Sequence, residues 1–230
     1  VIASNHARLV EAQTINAILQ ACNPGRDVRI YDSEWGLHDD SRMRPWVEPR
    51  HGNQLGTLYR AVRMIYYARE NVVRGASGWV LFSEAQHPGF LVVARDKPEK
   101  RSMKYWLYHY FNRHLGERVL DLDGTAPCLP PSAGGYPLTP MIATISTDGS
   151  LVSMILVNGS KDMSYPAAIT IVGFNPKHST ATLLRHEDLQ ADALLVRDAD
   201  FVHDLPLTVA GERVSFILPA HSVAFITLSQ

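Results

Sequence analysis

The sequence predicts two kinds of structure in succession, an α/β region over residues 1–120 and an all-β region over residues 121–230. Three observations predict it. The first half alternates long helical patterns with two short apolar runs, 28–33 and 79–83. A Pro- and Gly-rich stretch, LDGTAPCLPPSAGGYPLTP (122–140), separates the halves. Beyond it, short runs of strand character recur with turn signals between them and no helical period.

The first helix spans 4–22, where Ala7, Val10, Thr14, Ala17, Ile18, Ala21 and Cys22 fall on one stripe, and Asn23-Pro24-Gly25 ends it. Val28–Ser33 is a short strand whose tip, Asp32-Ser33-Glu34-Trp35-Gly36, turns polar, and 37–51 is a long loop containing prolines. A second helix covers 53–73 through Leu55, Leu58, Tyr59, Val62, Ile65, Tyr66 and Val73, with Gly75 and Gly78 at its exit. Trp79–Ser83 is the next strand and ends on Glu84, followed by His87-Pro88-Gly89. The third helix, 101–115, turns Met103, Trp106, Leu107, Tyr110, Phe111 and Leu115 to one side. This spacing assigns Tyr105, Trp106, Tyr108 and Tyr110 to packing rather than to a sugar-binding platform. In the second half, strands are expected at 141–147, 151–158, 167–173, 180–187, 193–197, 213–218 and 222–228, with Asp148-Gly149 as a tight hairpin turn. Their number and spacing indicate an antiparallel sandwich.

Composition narrows the function classes. With 230 residues, 46% hydrophobic and a formal charge of −1, neither nucleic acid nor a membrane is expected as a partner. No apolar run approaches the ~20 residues of a membrane helix. Cys22 and Cys128 match no metal-binding spacing and read as free buried thiols, with a disulfide between them as the alternative. The ten histidines form no metal-ligating pair, so no metal and no cofactor are expected. Asn158-Gly159-Ser160 matches a glycosylation acceptor, which matters only in a secreted eukaryotic protein.

The chemistry centres on two carboxylates. Glu34 and Glu84 each terminate a short apolar strand, and one helix separates the strands. Strands joined in this way lie parallel, about 4.8 Å apart when adjacent. Their tips then share one end, where acid–base or sugar-hydroxyl chemistry becomes possible. The alternative for Glu34 is a surface ion pair with Arg29, Arg42 or Arg44.

IYDSEWG (30–36), the long loop, the amphipathic helix and GWVLFSEA (78–85) resemble the seventh and eighth strands of clan A glycoside hydrolases, the retaining (β/α)8-barrel glycosidases. KRSMKYWLYHYFNRHLGERVLD (100–121) is similar to the last barrel helix of the α-L-arabinofuranosidase and β-xylosidase branches. SLVSMILVNGS (150–160) and ILPAHSVAFITL (217–228) look like strands of the C-terminal sandwich those enzymes carry. The resemblance implies the C-terminal portion of a (β/α)8 barrel, about strands seven and eight with flanking helices, followed by an antiparallel β-sandwich. It implies a retaining glycosidase with Glu34 as nucleophile, acting on a glycoside, oligosaccharide or polysaccharide. Trp35, Glu84, His38, Asp39, His51, Asn53 and His87 are then candidates for substrate contact. The family's acid/base follows an Asn on strand four, and residues 1–27 offer no such strand.

Two barrel strands with three helices leave apolar faces without partners. Each buried Leu or Phe is worth about 1.5–3 kcal/mol, a large fraction of a domain's total of about 5–15 kcal/mol. The expectation is therefore a processed chain whose partner, an N-terminal chain of the same enzyme, supplies strands one to six and the acid/base. A non-catalytic carbohydrate-binding or scaffold protein is the competing reading.

Overall fold

The computed structural model describes residues 1–35, 53–78, 101–189, 191 and 197–230, apart from the side chain of Glu34. It is a mixture of helix and sheet in which the described residues form no closed barrel. Helix α1 spans Ile2–Cys22, strand β1 Ile30–Trp35, helix α2 Gln54–Glu70, strand β2 Val73–Gly78 and helix α3 Met103–Arg113. The second half holds β3 (Arg118–Val119), β4 (Met141–Ile145), β5 (Leu151–Asn158), β6 (Tyr165–Thr170), β7 (His178–Leu184), β8 (Val202–Asp204), β9 (Thr208–Ala210), β10 (Arg213–Leu218) and β11 (Ser222–Ser229).

β1 and β2 form a parallel pair. The other strands build two antiparallel sheets, one ordered β3-β4-β5-β11-β7-β8 and one ordered β6-β10-β9. β5 and β11 lie at the centre of the larger sheet, paired along their whole lengths. Both are buried on both faces, which explains their nearly continuous apolar sequences. Ile155, Val157, Val223 and Phe225 point to the helices, where they join Leu58, Ile65, Leu107 and Phe111 in one core. Val152, Met154, Leu156, Ala224, Ile226 and Leu228 point the other way and meet Val214, Phe216 and Leu218 of the smaller sheet. The period of two thus splits each strand between two cores.

Local signals set the element boundaries. Asn53 caps α2, its side-chain oxygen accepting the Gly56 N–H at 3.0 Å, and Asn71 ends the helix in a left-handed conformation. Ser102 caps α3 in the same way, accepting the Tyr105 N–H. Asp148-Gly149 makes the turn between β4 and β5, with Gly149 at φ +76°. Asp148 Oδ1 accepts from the Ser146 hydroxyl and the Ser150 N–H, which pulls its pKa down to about 2.

Several expectations need correction. The apolar stripe read on α1 is not the side that packs: Ile2, Asn5, Leu9 and Ala12 are buried, whereas Val10, Ile15 and Ile18 are exposed. Periodicity missed the packed side because a polar residue, Asn5, sits at its centre. Both cysteines are free but exposed, not buried. Asn158 is no accessible glycosylation acceptor: it is fully buried and its amide donates to the Met163 and Leu218 carbonyls. The strand after α2 begins at Val73, inside the range assigned to the helix, because Asn71 stops α2 early. The strands expected at 79–83 and, save Arg197, at 193–197 lie outside the described residues. β3, β8 and β9, of two or three residues each, are too short to leave a periodic signal.

The buried Phe225 ring of the larger sheet packs against Tyr110 of α3 and against His114 just beyond it. Phe225→Ala should lower stability by about 3–5 kcal/mol, as truncation of a fully buried aromatic residue does. Thermal or urea denaturation followed by circular dichroism measures this.

Candidate functional site

The candidate site is the C-terminal end of β1. This strand carries Tyr31, Asp32, Ser33, Glu34 and Trp35, and pairs through Asp32 with Ala76 and through Trp35 with Gly78. Three steps on β1 therefore face two on β2, so β1 holds one extra residue, a bulge. Without it, residues 32 and 35 would face opposite sides of the strand. With it, both meet α2.

Asp32 Oδ2 accepts the Tyr67 hydroxyl at 2.6 Å and lies 4.0 Å from Arg63 Nη1. The Trp35 ring is buried beneath two guanidinium groups, 5.4 Å from Arg60 and 5.9 Å from Arg63, with Tyr67 edge-on at 6.2 Å. The Trp35 indole N–H is buried and meets no acceptor among the described residues. Arg63 uses every nitrogen. Nε donates to Asn5 Oδ1 at 2.8 Å, Nη1 to the Tyr67 hydroxyl oxygen at 3.0 Å and Nη2 to that of Tyr59 at 2.6 Å. Asn5 in turn donates to the Val1 and Tyr59 carbonyls, which ties α1 into the same network. Arg60 Nη1 donates to the Tyr108 hydroxyl of α3 at 3.0 Å. Gly78 makes room for that bond, since a Cβ there would lie 2.1 Å from the Tyr108 oxygen.

Two titrations are displaced by this environment. Burial first, and the hydrogen bond to Asp32 second, raise the Tyr67 pKa to about 12, so it remains a donor throughout the ordinary range. Lys104 on α3 is fully buried, and burial, followed by the nearby Arg60 cation, lowers its pKa to about 6. The charged groups against the strand tip are therefore the Arg60 and Arg63 guanidinium groups of α2, while Lys104 is neutral above about pH 6.

The structure places the residues expected from sequence as follows. Glu34 lies in the bulged segment of β1, between Asp32 and Trp35. Trp35 is packed under α2. Asn53 is buried, its side-chain oxygen engaged in capping α2. His38, Asp39, His51, Glu84 and His87 lie outside the described residues. The aromatic row on α3 is spent on packing: Trp106 Nε1 donates to Asp198, Tyr110 lies on Phe225, and Arg101 covers Tyr105 and Trp106. Sequence reading did not single out Asp32, Arg60, Arg63, Tyr67 or Lys104 as functional. The available signal was two arginines, 60 and 63, within the apolar pattern of a helix. Among the described residues no cluster of His, Cys, Asp and Glu could hold a metal ion, and no helix is long and apolar enough to cross a membrane.

No protein-family model and no curated protein matches the sequence. Solved structures do match the fold. A glycoside hydrolase family 51 α-L-arabinofuranosidase from Thermotoga petrophila superposes with a TM-score of 0.79 at 13% identity, over 99% of this chain and 49% of its own. The family 51 arabinofuranosidase from Xanthomonas axonopodis gives a TM-score of 0.72 at 18% identity, over 96% of this chain and 46% of its own. A family 30 subfamily 8 xylanase from Clostridium acetobutylicum gives 0.57 at 11% identity, over 90% of this chain and 47% of its own. Both families are clan A glycoside hydrolases, and the likeness shows a glycosidase-like fold. The chain spans about half the length of these structures.

Lys104 makes stability depend on pH. The unfolded chain binds this proton up to about pH 10.5 and the folded chain releases it above about 6, so stability rises as pH increases across that window. The slope contributed is at most about 1.4 kcal/mol per pH unit. Lys104→Met should flatten the dependence, as read from urea midpoints between pH 6 and 10.

Proposed function

We propose that this chain is the nucleophile-bearing C-terminal part of a retaining glycoside hydrolase, with Glu34 as the nucleophile. The supporting observation is the position of Glu34 near the C-terminal end of a parallel strand, on a scaffold that matches family 51 arabinofuranosidases over almost all of this chain. In this reading the Glu34 carboxylate attacks the anomeric carbon while a second carboxylic acid protonates the departing oxygen. The resulting glycosyl ester is then hydrolysed by a water that the same second group deprotonates. The guanidinium groups of Arg60 and Arg63, on the neighbouring helix, lie over Trp35 at the strand tip. Glu84, His38, Asp39, His51 and His87 are assigned to substrate contact. Asn53 acts on the site through α2, and Trp35 through packing of the strand tip.

The acid/base and the remaining barrel strands are assigned to polypeptide beyond these 230 residues, supplied by an N-terminal chain of the same enzyme. Two features support this. Among the described residues, β1 has a partner on one edge only, β2. Val10, Ile15 and Ile18 of α1, together with Tyr31 of β1, expose apolar surface to solvent. Arabinofuranosides and xylosides are the first substrates to assay, by likeness to the matched enzymes.

In the assembled enzyme, Glu34→Gln should lower kcat/KM at least ~10³-fold, equivalent to about 4 kcal/mol of transition-state stabilisation. An activated 2-deoxy-2-fluoro glycoside should label the peptide containing Glu34, as peptide mass mapping would show. A label on another residue, or near-normal turnover by Glu34→Gln, would exclude this role. Denaturing mass analysis of the native particle tests the partner: a well-folded, active monomer of this chain alone would refute it.

A further inference from the structure

We infer that Arg63, acting through Tyr67 and Asp32, is a positioning residue that sets the tip of β1 on which Glu34 sits. The inference rests on the proposed role of Glu34 and adds a device that the strand pairing does not supply. Regular ladder hydrogen bonds would fix the tip, but the register shifts between Asp32 and Trp35, the segment that contains Glu34. Side chains on either side of Glu34 take over. Asp32 is held by Tyr67 and faces Arg63, and Trp35 is clamped between Arg60, Arg63 and Tyr67.

The hydrogen bonds run in one direction. Arg63 Nη1 donates to the Tyr67 oxygen, and Tyr67 donates its only proton to Asp32. Tyr67 therefore has no alternative orientation that keeps both bonds. The other two nitrogens of Arg63 are committed to Asn5 and Tyr59, so the guanidinium plane is fixed from α1 and from its own helix. A lysine could carry the charge but not three bonds in one plane. Buried charged networks compare poorly with apolar packing as a source of stability. What this one provides is geometry: one rigid group fixes Asp32 and Trp35, which flank the residue that must reach an anomeric carbon.

The test uses the assembled enzyme. Tyr67→Phe preserves the ring and removes the proton donated to Asp32. It should lower kcat at least ~10-fold, since misplacement by ~1 Å can cost ~10²-fold. KM and melting temperature should stay near wild type, and the rate constant for labelling by the 2-fluoro glycoside should fall in parallel with kcat. Arg63→Lys should produce a loss in the same parameter. Wild-type kcat and labelling rate in Tyr67→Phe, or a loss confined to KM, would overturn the inference. Should Tyr67→Phe lose fold and activity together, Asp32→Asn decides, with a folded, fully active enzyme overturning the inference and a folded enzyme defective in kcat supporting it. Glu34→Gln run alongside separates the two claims. If Glu34 is not the labelled residue, the proposed function fails; if it is labelled at the wild-type rate in Tyr67→Phe, only the positioning role fails.

Discussion

Two guanidinium groups on one helix are cut off from water, and much of the first half of the fold is arranged around them. Arg60 is 1% exposed and Arg63 5%. A buried cation is tolerable only with hydrogen bonds and compensating charge close by. Arg63 obtains them from α1 through Asn5, from its own helix through Tyr59 and Tyr67, and from β1 through Asp32. Arg60 reaches α3 through Tyr108 and lies over Trp35 of β1. The same two residues therefore fix where α1, α3 and the tip of β1 lie relative to α2. The candidate site and the packing of the helical layer share one cause.

The rest of the scaffold rests on a sheet buried on both faces. β5 and β11 contribute alternate side chains to the helical core and to the sandwich core. The helical layer consequently cannot shift without disturbing the sandwich. Gln54, at the first turn of α2, reinforces this by donating to the His221 carbonyl at 2.7 Å, in the turn that opens β11. On the opposite side of α1, Val10, Ile15 and Ile18 are exposed.

Residues that sequence patterns could classify were those whose role is local. Asp148-Gly149 forms the turn that a two-residue hairpin signal implies, and the apolar side of α3 packs as its spacing indicates, with Leu115 alone on the exposed side. The network around Arg63 was not legible because its members come from positions 5, 32, 59, 63 and 67, and nothing in the sequence states that these meet. The bulge in β1 was equally hidden: a period-two reading puts Asp32 and Trp35 on opposite faces, and one inserted residue brings them together. On α1, periodicity found a true apolar stripe but not the side that packs, since packing there is led by a buried asparagine.

The sequence by itself determined the succession of α/β and antiparallel β structure, the strands at 151–158 and 222–228, the turn at Asp148-Gly149, and a carboxylate near the end of a short strand. These depend on near neighbours and on periodicity, which a linear text preserves. The tertiary structure decided which side of α1 is buried, that β2 starts at Val73, that Trp35 lies beneath two arginines, and that Asp32 is the counter-charge for Arg63. Each of these is an outcome of long-range competition for burial and for hydrogen-bond partners, settled only when the elements pack.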